Sequence, residues 1–236
     1  MFDDLELTGR ARTHVVQHED LGAAVHRGVL GAFLALRAAA AGDGIDLRIV
    51  SGFRDFTAQL RIWNMKYRGE RPLYDQAGNA LDHASLDAGQ LIEGILCWSA
   101  LPGASRHHWG TDIDVIDRAA TPENYRYSLL PEEYAAGGVF HRLRLWLDAN
   151  IADFGFFRPY ADYRGGVYPE PWHLSHAALS AEALDLLTPE LIAAVVRDSD
   201  VLGKDEVLAQ LPAIHRKYVA NICVPPPYDR PPPHTA

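Results

Sequence analysis

The sequence predicts an α+β fold, with a small, mainly antiparallel sheet flanked by helices. Three observations carry the prediction. Apolar helical runs dominate the chain, strand-like alternation is confined to a few short segments, and the connections between them vary in length. The expected order is helices, strand, helices, strand, helix, strand, helices.

Asp20 to about Ala41 is rich in Ala, Leu and Val and reads as one buried helix, capped by Asp20 and ended by Gly42. Ile45–Val50 alternates between Gly44 and Gly52 and reads as a strand running into Ser51-Gly52-Phe53-Arg54. Thr57–Tyr67 places Leu60, Trp63 and Tyr67 at helical spacing, with Thr57 near its start. Arg68–Leu81 carries Gly69, Pro72, Gly78 and Asn79 and reads as an exposed loop. Ser85–Leu101 is a second apolar helix, stopped by Pro102-Gly103. In Thr111–Asp117, Ile113 and Val115 alternate with Asp112 and Asp114, which predicts a half-buried strand whose acidic face looks away from the core. A helix is expected around Phe140–Ala149, a short strand over Pro169–Ser175, and two or three short helices over Ala177–Leu211 with Ser180 and Thr188 as caps. Residues 1–224 read as a single domain. The Pro-rich tail, 225–236, reads as extended polyproline or disordered chain.

The composition, 48% hydrophobic and 22% charged, is that of a soluble globular chain long enough to bury a core. A formal net charge of −9 repels a phosphate backbone and an anionic membrane surface, so neither nucleic acid nor membrane is an expected partner. No stretch approaches the length of a membrane span. The start, MFDDLELTGR, has neither the basic opening nor the apolar run of a secretory signal, so the expected location is cytoplasmic, or periplasmic if the true start lies upstream. Cys97 and Cys223 are far apart and make neither a disulfide framework nor a cysteine metal site.

Two segments carry chemistry: Ser105-Arg106-His107-His108-Trp109-Gly110-Thr111-Asp112-Ile113-Asp114, and Glu170-Pro171-Trp172-His173. A catalytic zinc takes three nitrogen or oxygen ligands and leaves a fourth position for water, beside a carboxylate that takes the water's proton. His107, Asp114 and His173 supply two imidazoles and a carboxylate, and Glu170, three residues before His173, supplies the second carboxylate. On spacing alone, the better readings are loop histidines, the solvated face of a strand and an exposed pair, because His and Asp are common on loops.

Three motifs in order change that balance. Ser51-Gly52-Phe53-Arg54 fits S-G-[YF]-R. Ser105, His107, Gly110 and Asp114 fit S-x-H-x-x-G-x-x-x-D. Glu170, Trp172 and His173 fit E-x-W-H. Over roughly Ile45–Ser175 the chain resembles the zinc D-alanyl-D-alanine carboxypeptidases and dipeptidases of bacterial cell-wall metabolism, the vancomycin-resistance carboxypeptidase type. The resemblance implies the Hedgehog/D,D-peptidase-like fold and one zinc ion held by His107, Asp114 and His173. It makes Glu170 the general base and acid and Arg54 the residue that polarises the scissile carbonyl and steadies the oxyanion. Ser105 matches the position that hydrogen-bonds the substrate's terminal carboxylate. Gln59 follows the Arg motif at a spacing seen in the carboxypeptidase branch and is expected to line the same pocket. His and carboxylate ligands accept several divalent ions, so the resemblance, not the ligand chemistry, points to zinc.

Two features depart from the family. Asp112 stands where a small apolar residue is usual, and as a neighbour of Asp114 on one strand face it can ligate, hydrogen-bond a metal-bound histidine or be solvated. His108 beside His107 leaves a similar choice. His14, His18, His26, His83, His141, His176, His215 and His234 match nothing and read as surface or packing residues.

The expected substrate is a peptidoglycan-derived stem peptide that loses its C-terminal D-alanine. A cytoplasmic enzyme that trimmed D-Ala-D-Ala ends would attack the cell's own wall precursors, which favours an L,D-carboxypeptidase acting on tetrapeptides. The alternatives are a D,D-carboxypeptidase, then an endopeptidase of the same fold, then a non-catalytic, zinc-stabilised binding module. The inserts from Arg68 to Ser85 and from Arg118 to Tyr134 are expected to wall off a pocket, as an exopeptidase needs. Glu170 and Arg54 argue against a binding module, because a structural zinc needs neither a base nor an oxyanion donor.

Overall fold

A computed structural model describes residues 1–225; the Pro-rich tail lies outside the described residues, apart from Pro225. The chain opens with α1 (Asp4–Leu7) and a two-stranded antiparallel ribbon, β1 (Val15–Val16) with β2 (Val25–His26). There follow α2 (Leu30–Gly42), β3 (Leu47–Ser51), α3 (Phe56–Tyr67), α4 (Ala88–Leu96), β4 (Asp112–Asp117), α5 (Pro131–Tyr134), α6 (His141–Asn150), β5 (Phe156–Phe157), β6 (His173–His176), α7 (Ala177–Leu186), α8 (Pro189–Arg197) and α9 (Lys204–Ile214). The main sheet has the order β3-β4-β6-β5 and every pairing is antiparallel. The expected α+β fold, with its small antiparallel sheet, is the one observed.

The core falls into two clusters. One packs α2 and α6 against the sheet, with Phe33, Leu36, Leu143 and Leu147 meeting Ile113, Val115 and Leu174. The other joins α3, α4, α8 and α9 through Trp63, Ile92, Ile95, Ile192, Val196 and Leu211. Among the described residues, no helix is long and apolar enough to cross a membrane.

Three expectations on helix ends need correction. The helix expected from Asp20 begins only at Leu30, because Val25–His26 pairs with Val15–Val16 and His26 N–H donates to Gly110 O at 2.8 Å. These long-range bonds, with Gly22 and Gly28 as breakers, override the helical preference of the segment. The helix expected over Ser85–Leu101 is α4, shorter at both ends, with Asp87 as its cap and Gln90 closing a capping box. Thr188 caps α8 as expected, but Ser180 lies buried inside α7 and caps nothing. The helix expected over Thr57–Tyr67 is α3, as read, and Asp55 caps it with a side chain that accepts from Ala58 N–H at 2.7 Å.

The sheet register sets the site. In neighbouring strands Ser51 lies opposite Asp114, and Asp114 lies opposite His173. A bulge between Ile49 and Ser51 brings Ser51 into that row. The acidic face of β4 does not look out to solvent, as its alternation suggested. Every residue of β4 is buried, with the apolar side on the core, Asp114 on the wall of a cavity and Asp112 sealed beneath it.

Candidate metal centre and active site

His107 sits on a short 3-10 turn, Arg106–Trp109, which ends at Gly110 in a left-handed conformation (φ 64°). A Cβ at Gly110 would come 2.7 Å from His26 N and 2.8 Å from Val15 Cγ1, so only glycine fits there. The turn aims the His107 ring back at β3, where its Nδ1–H donates to Gly52 O at 2.9 Å. Nε2 is left free, 3.4 Å from Asp114 Oδ2. Glu170 precedes β6 in a turn closed by His173 N–H donating to Glu170 O at 3.1 Å. The flanking Pro169 and Pro171 have no N–H to offer a strand, which is why β6 starts at His173 and not at Pro169.

His173 donates Nε2–H to Asp112 Oδ1 at 3.0 Å. Its Nδ1 then faces Asp114 Oδ1 at 3.1 Å and Glu170 Oε2 at 3.3 Å. One ligand atom each from His107, Asp114 and His173 lies within 4.8 Å of the others, in a fully buried group. A metal fits this arrangement on two grounds. Asp114 Oδ1 is buried without a hydrogen-bond partner. Burial disfavours charge on His173, yet Asp112, Asp114 and Glu170 hold its pKa well above the ordinary value, so the carboxylates draw positive charge to this point. Burial pushes the His107 pKa down to about 3, which keeps that ring neutral and able to ligate.

Asp112 resolves to one of its three readings. It is fully buried and holds His173 from behind, while Arg106 Nε donates to the same Oδ1 at 2.7 Å and Thr111 Oγ1 donates to Oδ2 at 2.7 Å. The Arg106 and Thr111 contacts keep its pKa well down against the opposing effect of burial. Arg106 completes the support by donating Nη2 to Ser175 Oγ and lying over the Trp109 ring. Sequence reasoning missed Arg106, which occupies the variable position of S-x-H. His108 points away from the metal group. It accepts from Gly103 N–H and donates Nδ1–H to Arg54 O at 2.6 Å, as a buried strut.

Arg54 donates Nη2 to Ser51 Oγ at 2.8 Å and Nη1 to Gln59 Oε1 at 2.9 Å. Gln59, expected on the pocket wall, is instead fully buried behind Arg54 and donates to Ala100 O at 2.7 Å. Arg54, Ser105, His107, Asp114, Glu170 and His173 line one cavity of about 310 Å³. Both inserts wall it, through Arg71 and Tyr74 on one side and Ser128–Leu130 on the other. The second wall is held by the Glu133 carboxylate, which accepts from Ser128 and Leu130 N–H, with Leu129 between them at φ 55°.

The family model for the VanY D-alanyl-D-alanine carboxypeptidase matches residues 22–179. The chain belongs to the VanY D-alanyl-D-alanine carboxypeptidase family. It is a zinc-dependent peptidase, and its His107–Asp114–His173 group is able to hold a metal. An uncharacterised protein of Haemophilus influenzae is 33% identical over 127 residues, 53% of this chain and 95% of that one. Among solved structures, a variant of the vancomycin-resistance D,D-pentapeptidase VanY in complex with Zn(II) aligns with a TM-score of 0.50 at 22% identity, covering 75% of this chain and 84% of the other. The LD-carboxypeptidase LdcB aligns with a TM-score of 0.53 at 18% identity, covering 84% of this chain and 78% of the other. These likenesses of VanY-family peptidases agree with the fold described above.

Proposed function

We propose that this member of the family is a zinc carboxypeptidase that removes the C-terminal D-alanine from peptidoglycan stem peptides, with the L,D bond of tetrapeptides as its preferred target. The observation that carries the reading is Glu170 Oε2 at 3.3 Å from His173 Nδ1, a second carboxylate beside the ligand group. His107 Nε2, Asp114 and His173 Nδ1 would hold the ion. When bound, zinc acidifies a water and polarises a carbonyl. Burial is the main cause that raises the Glu170 pKa, so the carboxyl accepts and returns a proton more readily near neutral pH. Glu170 takes the proton of the attacking water and hands it to the leaving amine. Arg54, held by Ser51 and Gln59, presents a fixed cation where the oxyanion charge develops. Ser105, on the same wall, takes the terminal carboxylate.

The L,D preference rests on the shape of the cavity. Its lining includes Ile62 and Lys66 of α3 and Arg71 beyond that helix, a wall that suits a long side chain on the residue whose carbonyl is cleaved. A D-Ala-D-Ala end would leave that wall unmet. The test is free D-alanine release, by mass, from a tetrapeptide with one terminal D-Ala and a pentapeptide ending in D-Ala-D-Ala, with and without chelator. Chelator-sensitive release from the tetrapeptide is expected. Release from the pentapeptide alone would make the protein a D,D-carboxypeptidase, and none from either would remove the carboxypeptidase reading.

A further inference from the structure

The cavity holds more positive charge than the proposed chemistry uses. Lys66 and Arg71 both line it. The Lys66 ammonium donates to Ser99 Oγ at 2.6 Å, a neutral partner. Among the described residues, neither Lys66 nor Arg71 forms an ion pair, although the other cations that line the cavity have fixed partners: Arg106 has Asp112, and Arg54 has Ser51 and Gln59. A half-buried ammonium without a counter-ion is costly, in a chain whose net charge is −9. Burial is the main cause that lowers its pKa, with Arg71 and Arg54 adding to the effect and Glu170 opposing it.

The position separates this cation from Arg54. Gln59, Ile62 and Lys66 are spaced three and four apart on α3, so they share one helix face. Gln59 touches Arg54. Lys66 lies seven residues further on, roughly 10 Å along the axis. With Ser105 assigned to the terminal carboxylate, a cation further along α3 is left for a second anionic group, and its place on the cavity wall suits a long side chain on the residue whose carbonyl is cleaved.

We propose that Lys66 and Arg71 form a subsite for a second substrate carboxylate, carried on the side chain of the diamino acid that precedes the terminal D-alanine. A side chain ending in an amine alone meets two like charges there and is disfavoured. One ending in an amine and a carboxylate supplies the missing counter-ion. The inference rests on the carboxypeptidase reading above, and it makes Lys66 a specificity residue, not a catalytic one.

The experiment uses zinc-loaded protein and three tetrapeptides ending in D-Ala. They differ only in the third side chain, which ends in an amine plus a carboxylate, an amine plus a carboxamide, or an amine alone. The carboxylate peptide is expected to lead by about tenfold in kcat/KM, mostly through KM, the size of one charge-assisted hydrogen bond. Lys66→Met should collapse that ratio toward one, and Lys66→Arg should largely keep it. Equal rates on the three peptides, or a Lys66→Met loss shared equally by all three, would overturn the proposal. The same peptides are titrated by calorimetry, which separates the two readings. If no D-alanine is released, the carboxypeptidase reading fails. The subsite then stands if the carboxylate peptide binds tighter and Lys66→Met abolishes the difference, and falls if it does not.

Discussion

Asp112 Oδ1 lies 3.0 Å from His173 Nε2 and simultaneously accepts from Arg106 Nε at 2.7 Å, with both carboxylate and guanidinium out of contact with water. One buried anion therefore fixes the tautomer of His173, the proposed ligand, and neutralises a buried cation. Outer partners of this kind typically alter metal affinity by about 10–100-fold when removed. Asp112→Asn should weaken zinc binding by that factor, measured by competition with a chromophoric chelator, while the fold survives. Asp112→Ala leaves Arg106 unpaired as well, and should lower stability by about 3–5 kcal/mol in denaturant titration. Unchanged zinc affinity in Asp112→Asn would show that a neutral acceptor at this position holds the ring as well as the carboxylate does.

Glu170→Gln tests the proposed base. The amide keeps the volume and removes the proton acceptor. Zinc content by atomic spectroscopy should stay at one per chain, while kcat falls by about 10²–10⁴. A variant that binds zinc and retains full turnover would remove Glu170 from the mechanism.

Gln59 stands behind Arg54 and is not on the cavity wall, so its effect should pass through the guanidinium. Gln59→Ala should lower kcat/KM by about tenfold with zinc content unchanged, because an Arg that loses one anchor spends less time facing the oxyanion. Gln59→Glu should be worse, since a carboxylate at 59 neutralises the cation that the reaction needs.

How much of this was legible in the sequence depends on the kind of signal. The residues of the metal group follow from two local motifs, and the motif register chose His107 over His108. The pairing that brings Asp114 opposite His173 joins positions nearly sixty residues apart, which no local spacing encodes. Alternation in β4 tells two faces apart without saying which is covered, so it points the acidic face away from the core and leaves three readings open for Asp112. The segment from Asp20 was read as helix because its Ala and Leu content is strong, and the competing bonds come from Val15–Val16 and Gly110. Arg106 and Lys66 carried no signal of their own. Each gained a role only when the fold put a carboxylate against one and withheld it from the other.

His108 makes acid stability predictable. Burial is the main cause that lowers its pKa to about 4, against the help of Arg54 O. A histidine with a folded pKa below its unfolded value contributes fully above the unfolded value of about 6.5. In that window the unfolded chain binds more protons, so stability falls as pH drops from about 6.5 toward 4, by at most about 3 kcal/mol for this one group. Urea titrations of metal-free protein across this range should show the decline. His108→Gln should be less stable at neutral pH but flatter in its pH dependence. A slope unchanged by the substitution would place the titration at another histidine whose pKa burial lowers, such as the half-buried His26.

The Lys66 subsite should fade at alkaline pH. With a pKa lowered to about 8, chiefly by burial, Lys66 is charged below that value and increasingly neutral above it. The charged groups that act on it are Glu170, Arg71 and Arg54, and all three are common to every substrate compared. The ratio of kcat/KM for the carboxylate and carboxamide tetrapeptides cancels whatever titrates at the metal, and kcat/KM reports the free enzyme. That ratio should therefore be high and flat below about pH 7 and fall through a midpoint near 8, to a residue set by Arg71 alone. Lys66→Arg should hold the ratio flat across the same range, because a guanidinium does not titrate there. A ratio that stays constant in the parent protein would mean that Arg71, not Lys66, supplies the charge the substrate meets.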